Sequence, residues 1–236
     1  KTFGFQSSGF SRRFFNFFPS VIISKVRRYP TVILAASPIY AGILSEVFTK
    51  SKIITVGTNR IKWDTETNWN FDLKTGSSKV LVLLPVHFNL YKKVIEQFES
   101  QFDNSEVEVW YRPHPLNMKR MDREFFKINS RLQDPKKTDR DTFLGFRCCF
   151  SFDNSLAFDA LLSGTITFEV VGVTIYDDSR FLGFSIYNCK IPLDKLAEAF
   201  VAAGSLYTTS NIESQVRYCN GFYERFNSAE LEKALG

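Results

Sequence analysis

The sequence has 236 residues, with 30 Lys and Arg against 25 Asp and Glu, a net charge of +5, and 44% apolar and 16% aromatic residues. That much apolar surface buries a real core and excludes wholesale disorder. The charge surplus is too small, without an RNA- or DNA-binding motif, to read as nucleic-acid binding, and the longest nearly apolar stretch, 31–44, falls short of the roughly 20 residues that span a bilayer.

Residues 2–6 form a short β-like run. The continuous apolar run TVILAA (31–36) suits a buried parallel strand. Pro38 stands where helices start, residues 39–49 read as a helix, and KIITV (52–56) is a further strand closed by Gly57. Strand–helix–strand is the unit of a parallel sheet. Residues 61–78, polar and without period, read as a linker or long loop.

Beyond it the rhythm returns. KVLVLL (79–84) predicts a buried strand, and 89–102 an amphipathic helix with Leu90, Val94, Ile95 and Phe98 on one stripe. Residues 107–111 predict a strand, 122–127 a short helix, and FRCCFSF (146–152) a strand. A helix over 156–162 ends at Gly164, its C′ residue. TITFEV (165–170) is another strand, 193–203 a helix capped at Pro192 or Asp194, and 211–235 is helical and partly polar. The alternation predicts an α/β chain: a complete doubly wound, Rossmann-type domain over 79–204, the closing part of a second over 1–60, and a helical tail over 205–236.

Four scattered cysteines (Cys148, Cys149, Cys189, Cys219) make no disulfide framework, and a reducing, cytosolic setting is expected. Two histidines without Cys/His pairs at ligand spacing argue against a structural zinc site. The sequence opens on Lys1 without a signal-peptide pattern, so it is expected to begin inside a longer protein or to omit a start.

In open parallel sheets ligands bind outside the carboxyl ends of the strands, which directs attention to the turns after Leu84, Tyr111, Phe152 and Val170. Pro85-Val86-His87 follows the first; His87 reads either as a solvated loop residue or as part of the site. Arg112-Pro113-His114-Pro115 follows the second. Its prolines stiffen the turn and hold the imidazole in one place, while the planar fork of Arg112 suits a phosphate or pairs with Glu108. Asp153, Asn154 and Ser155 follow the third, and one of them caps the next helix. Free N–H groups and the helix dipole make such a terminus anion-binding. Alone it reads as an ordinary cap; beside Arg112 and His114 it reads as a site for a diphosphate or nucleotide monophosphate.

The order strand, Arg-Pro-His-Pro, strand, Asp-x-Ser, helix, small residue, strand resembles the nucleotide-binding half of GT-B glycosyltransferases. It looks most like the bacterial groups that build capsules, lipopolysaccharide and teichoic acids (polysialyltransferase-like, Kdo-transferase-like and CDP-glycerol-transferase-like). His114-Pro115 is similar to their His-Pro motif, Ser155 in FDNSLAFDALLSG to their serine-bearing loop, and KIITVGTNRIKW to their crossover between domains. GFQSSG (4–9) is similar to a Gln-His-Gly loop, with Ser7 and Ser8 where a His would stand, so no catalytic base is assigned there. The resemblance covers residues 30–205.

The resemblance implies a metal-independent enzyme, without further cofactor, that moves a sugar from a nucleotide-activated donor to a cell-surface or lipid-linked glycan. A CMP-linked acidic sugar such as sialic acid or Kdo is favoured, with a UDP-sugar or CDP-glycerol as alternatives and a non-catalytic nucleotide- or glycan-binding module as the reading of another class. In the implied mechanism His114 gives a hydrogen bond or proton to the departing phosphate. Asp153, Asn154, Ser155 and adjacent N–H groups hold its oxygens, and Arg112 serves the same charge. Pro85 and His87 face base, ribose or sugar next to Pro115, and Gln6, Ser7 and Ser8 form an acceptor-side loop. Asp177-Asp178 reads as a solvated turn and Asp159 as facing either site or surface; Lys136, Lys137 and Arg140 read as solvated. The aromatic-basic stretch 9–19, extended by Lys25, Arg27 and Arg28, reads either as a helix packed between domains or as a segment resting on anionic lipid. The expected location is cytoplasmic, peripheral on the inner face of the membrane.

Overall fold

Strands that are apolar at every position sit where both faces of a sheet are covered. The computed structural model describes residues 3–5, 30–58, 71–103, 105–115, 117, 130–132, 141–152, 154, 156–173, 190–222 and 226–235. The chain divides into two compact units, Lys1–Thr67 with Arg217–Gly236, and Asn68–Val216.

In the first unit β1 (Phe3–Phe5), β2 (Val32–Ala35) and β3 (Lys52–Thr55) form a parallel sheet in that order. All four residues of β2 are buried. Helix α1 (Pro38–Val47) begins with proline at its first turn, and the Ser37 hydroxyl accepts a hydrogen bond from the Tyr40 N–H at 3.3 Å, meeting one of the donors that a helix start leaves open.

The second unit carries β4 (Lys79–Leu83), β5 (Glu108–Arg112), β6 (Ser130–Leu132), β7 (Cys148–Ser151), β8 (Thr167–Val171) and β9 (Lys190–Pro192). They form one parallel sheet in the order β6-β5-β4-β7-β8-β9. Its helices are α2 (Phe71–Thr75), α3 (Tyr91–Gln101), α4 (Asp141–Leu144), α5 (Leu156–Leu162) and α6 (Leu196–Leu206). The apolar stripe of α3 buries Tyr91, Val94, Ile95 and Phe98. The Phe98 ring meets Phe150 of β7 at 5.2 Å and Tyr111 of β5 at 6.2 Å, both edge-on, so this helix covers one face of the central strands. Gly164 at φ 71° ends α5. Its N–H donates to the Leu161 carbonyl and the Thr165 N–H to that of Ala160, both at 3.0 Å, the paired closure that a left-handed residue permits.

Three expectations are corrected. The segment 61–78 is not linker throughout, because α2 lies inside it and Lys74 is buried. The Lys74 ammonium donates to Thr165 Oγ1 at 2.7 Å and to the Ser163 carbonyl at 3.1 Å, so a residue inside the expected linker is anchored within the second unit. The tail over 205–236 is not a separate element. Helix α7 (Thr209–Phe222) runs across the division at Val216, and α8 (Ser228–Leu235) belongs to the first unit. There Leu231 and Ala234, three residues apart and so on one helical face, pack with Val32, Leu34 and Val56. Finally, β6, α4 and β9 are elements that the sequence reading did not contain; at three or four residues they are too short to show a period. The helix expected over 122–127 lies outside the described residues.

Candidate functional site

The strand order sets β5, β4 and β7 side by side, so the turns that leave their carboxyl ends are neighbours along one rim of the second unit.

The central turn follows β4. The Leu84 N–H donates to the Arg112 carbonyl at 3.0 Å, which carries the ladder one residue past the strand. Pro85 is then buried, while Val86 and His87 are exposed. His87 stands at the start of a short 3₁₀ turn, Phe88–Leu90, with no side-chain capping bond, and α3 follows directly.

The turn after β5 is held from beneath. Pro113 is buried, His114 half-buried and Pro115 exposed. The Tyr91 hydroxyl at the start of α3 accepts the His114 N–H at 3.0 Å and the Asn117 Nδ2 at 3.1 Å. Asn117 Nδ2 gives its other proton to the Val86 carbonyl at 2.7 Å, and the Asn117 N–H closes the turn on the His114 carbonyl at 2.8 Å. Burial pushes the Tyr91 hydroxyl above its ordinary pKa, against the opposing effect of the Asn117 and His114 hydrogen bonds.

The turn after β7 is tied to the same central turn. Asn154 is the cap of α5: its Oδ1 accepts the Leu156 N–H at 3.1 Å and its carbonyl the Ala157 N–H at 3.0 Å. Its Nδ2 donates to the Leu84 carbonyl at 3.2 Å. Two asparagine amides, Asn117 from one side and Asn154 from the other, thus bind carbonyls of the β4 turn and join all three turns.

The expected residues fall into distinct environments. His114, His87, Pro85, Pro115 and Asn154 lie on this rim. Asn154 uses its side chain to cap and to cross-link. Arg112 lies in the strand rather than the turn: β5 runs one residue further than expected, pairing Arg112 with Leu83. Its side chain is fully buried, with the guanidinium 6.0 Å from the centre of the Phe143 ring. The alternative partner, Glu108, uses Oε2 to accept from Trp110 Nε1 at 3.1 Å and lies 3.5 Å from Arg131 Nε. Asp159 is half-buried within α5. Gln6, Ser7, Ser8, Asp153, Ser155, Asp177, Asp178, Cys189, the stretch 9–19, and Lys25, Arg27, Arg28, Lys136, Lys137 and Arg140 lie outside the described residues. Cys148 and Cys149 are buried, and burial pushes both thiols up, which leaves them poor nucleophiles.

Sequence reasoning missed Tyr91 and Asn117. Tyr91 falls within the helix expected over 89–102 but outside its expected stripe, and Asn117 lies outside every expected element. Only the packing of α3 beneath the β5 turn brings them together.

No family model matches the sequence, and no curated protein matches it. Solved structures do match in shape. The chain is similar to Anabaena HepE in complex with UDP-glucose, with a TM-score of 0.59 at 9% identity over 91% of this chain and 66% of that one. It is also similar to the calicheamicin glycosyltransferase CalG4, with a TM-score of 0.53 at 12% identity over 85% and 50%. A third is the Methanocaldococcus jannaschii UDP-GlcNAc 2-epimerase in complex with UDP-GlcNAc and UDP, with a TM-score of 0.50 at 14% identity over 97% and 66%. The chain therefore spans between half and two thirds of the length of these structures. Among the described residues no helix is long and apolar enough to cross a membrane. The parallel α/β architecture matches that of GT-B glycosyltransferase structures over about one Rossmann-like domain.

Proposed function

We propose that the second unit binds the nucleotide of an activated sugar donor, and that the protein to which it belongs transfers that sugar to a glycan. The observation that carries this reading is the joined rim: three adjacent turns, cross-linked through Asn117 and Asn154, present His114 at the carboxyl end of the sheet. A donor of this kind already contains its leaving group, so the work is to bind it and to stabilise charge on the departing phosphate. His114 supplies a hydrogen bond or proton there. Ser155 and Asp153 keep the phosphate-holding role read from the sequence, and Gln6, Ser7 and Ser8 the acceptor side. Arg112, sealed in the sheet, adds positive charge from beneath rather than a direct contact.

The CMP-linked acidic sugar expected from the sequence rests on its His-Pro resemblance. The uridine nucleotides bound by HepE and the epimerase support the alternative, a UDP-sugar. A second reading, interconversion of the nucleotide sugar itself, is favoured by the likeness to the epimerase. A lipid-linked acceptor and contact with anionic membrane through residues 9–19 complete the proposal.

A thermal-shift series with UDP, CMP, CDP and GDP tests it. At 100 times Kd a true ligand stabilises by about 2.7 kcal/mol, and UDP is expected to give the largest shift. Release of UDP from a UDP-sugar in the presence of acceptor separates transfer from epimerisation, and His114→Ala is expected to keep the fold and lose turnover. Absence of a shift with every nucleotide sinks the reading.

A further inference from the structure

We propose that Tyr91 and Asn117 are positioning residues that act through His114, forming a clasp that sets where the imidazole stands on the rim. The inference rests on the site reading above and extends it to two residues outside the expected donor-binding set.

A tyrosine hydroxyl oxygen accepts through two lone pairs, and a primary amide carries two protons. Here the Tyr91 oxygen receives the His114 N–H at 3.0 Å and the Asn117 Nδ2 at 3.1 Å. Asn117 Nδ2 spends its second proton on the Val86 carbonyl at 2.7 Å, and the Asn117 N–H returns to the His114 carbonyl at 2.8 Å. His114 is therefore gripped at both its N–H and its C=O, between two prolines that fix φ on either side. Both clasp residues are buried, Tyr91 at 1% and Asn117 at 5% exposure, so water competes poorly for these bonds. The Tyr91 ring is set in turn by Phe88, at 5.0 Å between centroids. These two bonds reach the His114 backbone and leave the ligand untouched, as a positioning contact does.

The test uses the full 236-residue chain, whose only histidines are His87 and His114, so two imidazole signals report the site by NMR. Tyr91→Phe removes the shared acceptor and keeps the ring. It is expected to shift and broaden the His114 imidazole signal without nucleotide, leaving the exposed His87 signal in place. An unmoved His114 signal, or equal movement of both rings, overturns the clasp. With UDP as the probe, Tyr91→Phe is expected to weaken binding about fivefold, the scale of one hydrogen bond. In a His114→Ala background it should weaken binding no further, since coupled residues are non-additive. Full additivity overturns action through His114. A wild-type chain that binds none of UDP, CMP, CDP and GDP refutes the nucleotide reading alone, because the imidazole signals still decide the clasp.

Discussion

Gly204 in α6 is a glycine whose replacement sets two known effects against each other. Alanine in a helix interior is favoured over glycine by about 1 kcal/mol, and that alone makes Gly204→Ala stabilising. A Cβ at this position, however, would stand 2.5 Å from Arg147 Nη2. The guanidinium can swing away, so the cost is not the clash but what Arg147 leaves behind. Its Nη1 donates to the Thr75 carbonyl at 3.1 Å and its Nη2 to the Val201 carbonyl at 3.4 Å, and it lies 4.9 Å from the centre of the Phe200 ring. The shorter bond, charge-assisted, is worth about 1.5–3 kcal/mol, and the contact with the ring adds about 0.5–1 kcal/mol. The loss wins, and a net destabilisation of about 1–3 kcal/mol is expected, or roughly 2–12 °C in Tm for a chain of this size. The assay is thermal unfolding of four proteins: wild type, Gly204→Ala, Arg147→Met and the double variant. With Arg147 removed, Gly204→Ala should reverse sign and raise Tm. A rise in the wild-type background, or additive effects in the double variant, would refute the reasoning.

Lys74→Ala removes a buried ammonium with its bonds to Thr165 and Ser163 and is expected to cost about 2–4 kcal/mol in urea unfolding. Lys74→Met, which keeps the stem and discards the buried charge, should cost distinctly less. Asn154→Ala loses both the α5 cap and the tether to Leu84, about 2 kcal/mol together, with weaker UDP binding. Asn154→Asp keeps the cap and should recover part of the stability. Alkaline pH provides a fourth test. Burial raises Cys148 and Cys149 above their ordinary value of 9.0, and Tyr91 and Tyr207 above 10.0. The unfolded chain then releases these protons first, so the stability they contribute is whole below about pH 9 and falls as pH rises through the raised native values. Tm followed from pH 7 to 11 should decline steadily above 9; a flat profile contradicts the burial of these groups.

Much of the fold is legible in the sequence because its strands and main helices are locally determined. KVLVL and CCFS are apolar at all but one position, which only a strand covered on both faces tolerates, and α3 carries its apolar stripe openly. The alternation of such runs points to a parallel α/β sheet, and with it to His114 and Asn154 as residues at strand ends. The order of the strands is another matter. Nothing in the period of β4 says that it lies between β5 and β7, yet that placement makes three turns neighbours. The bonds that join them reach across 31 residues from Asn117 to Val86 and 70 from Asn154 to Leu84. The same holds for the burial of Lys74, inside a segment that reads as linker, and of Arg112, which reads as a phosphate ligand or a partner of Glu108, and for the return of α8 to the first unit. Local pattern chooses the elements because each residue feels its own helix or strand. Only the packed chain chooses the neighbours, because a polar group can be buried only where another part of the molecule arrives to meet it.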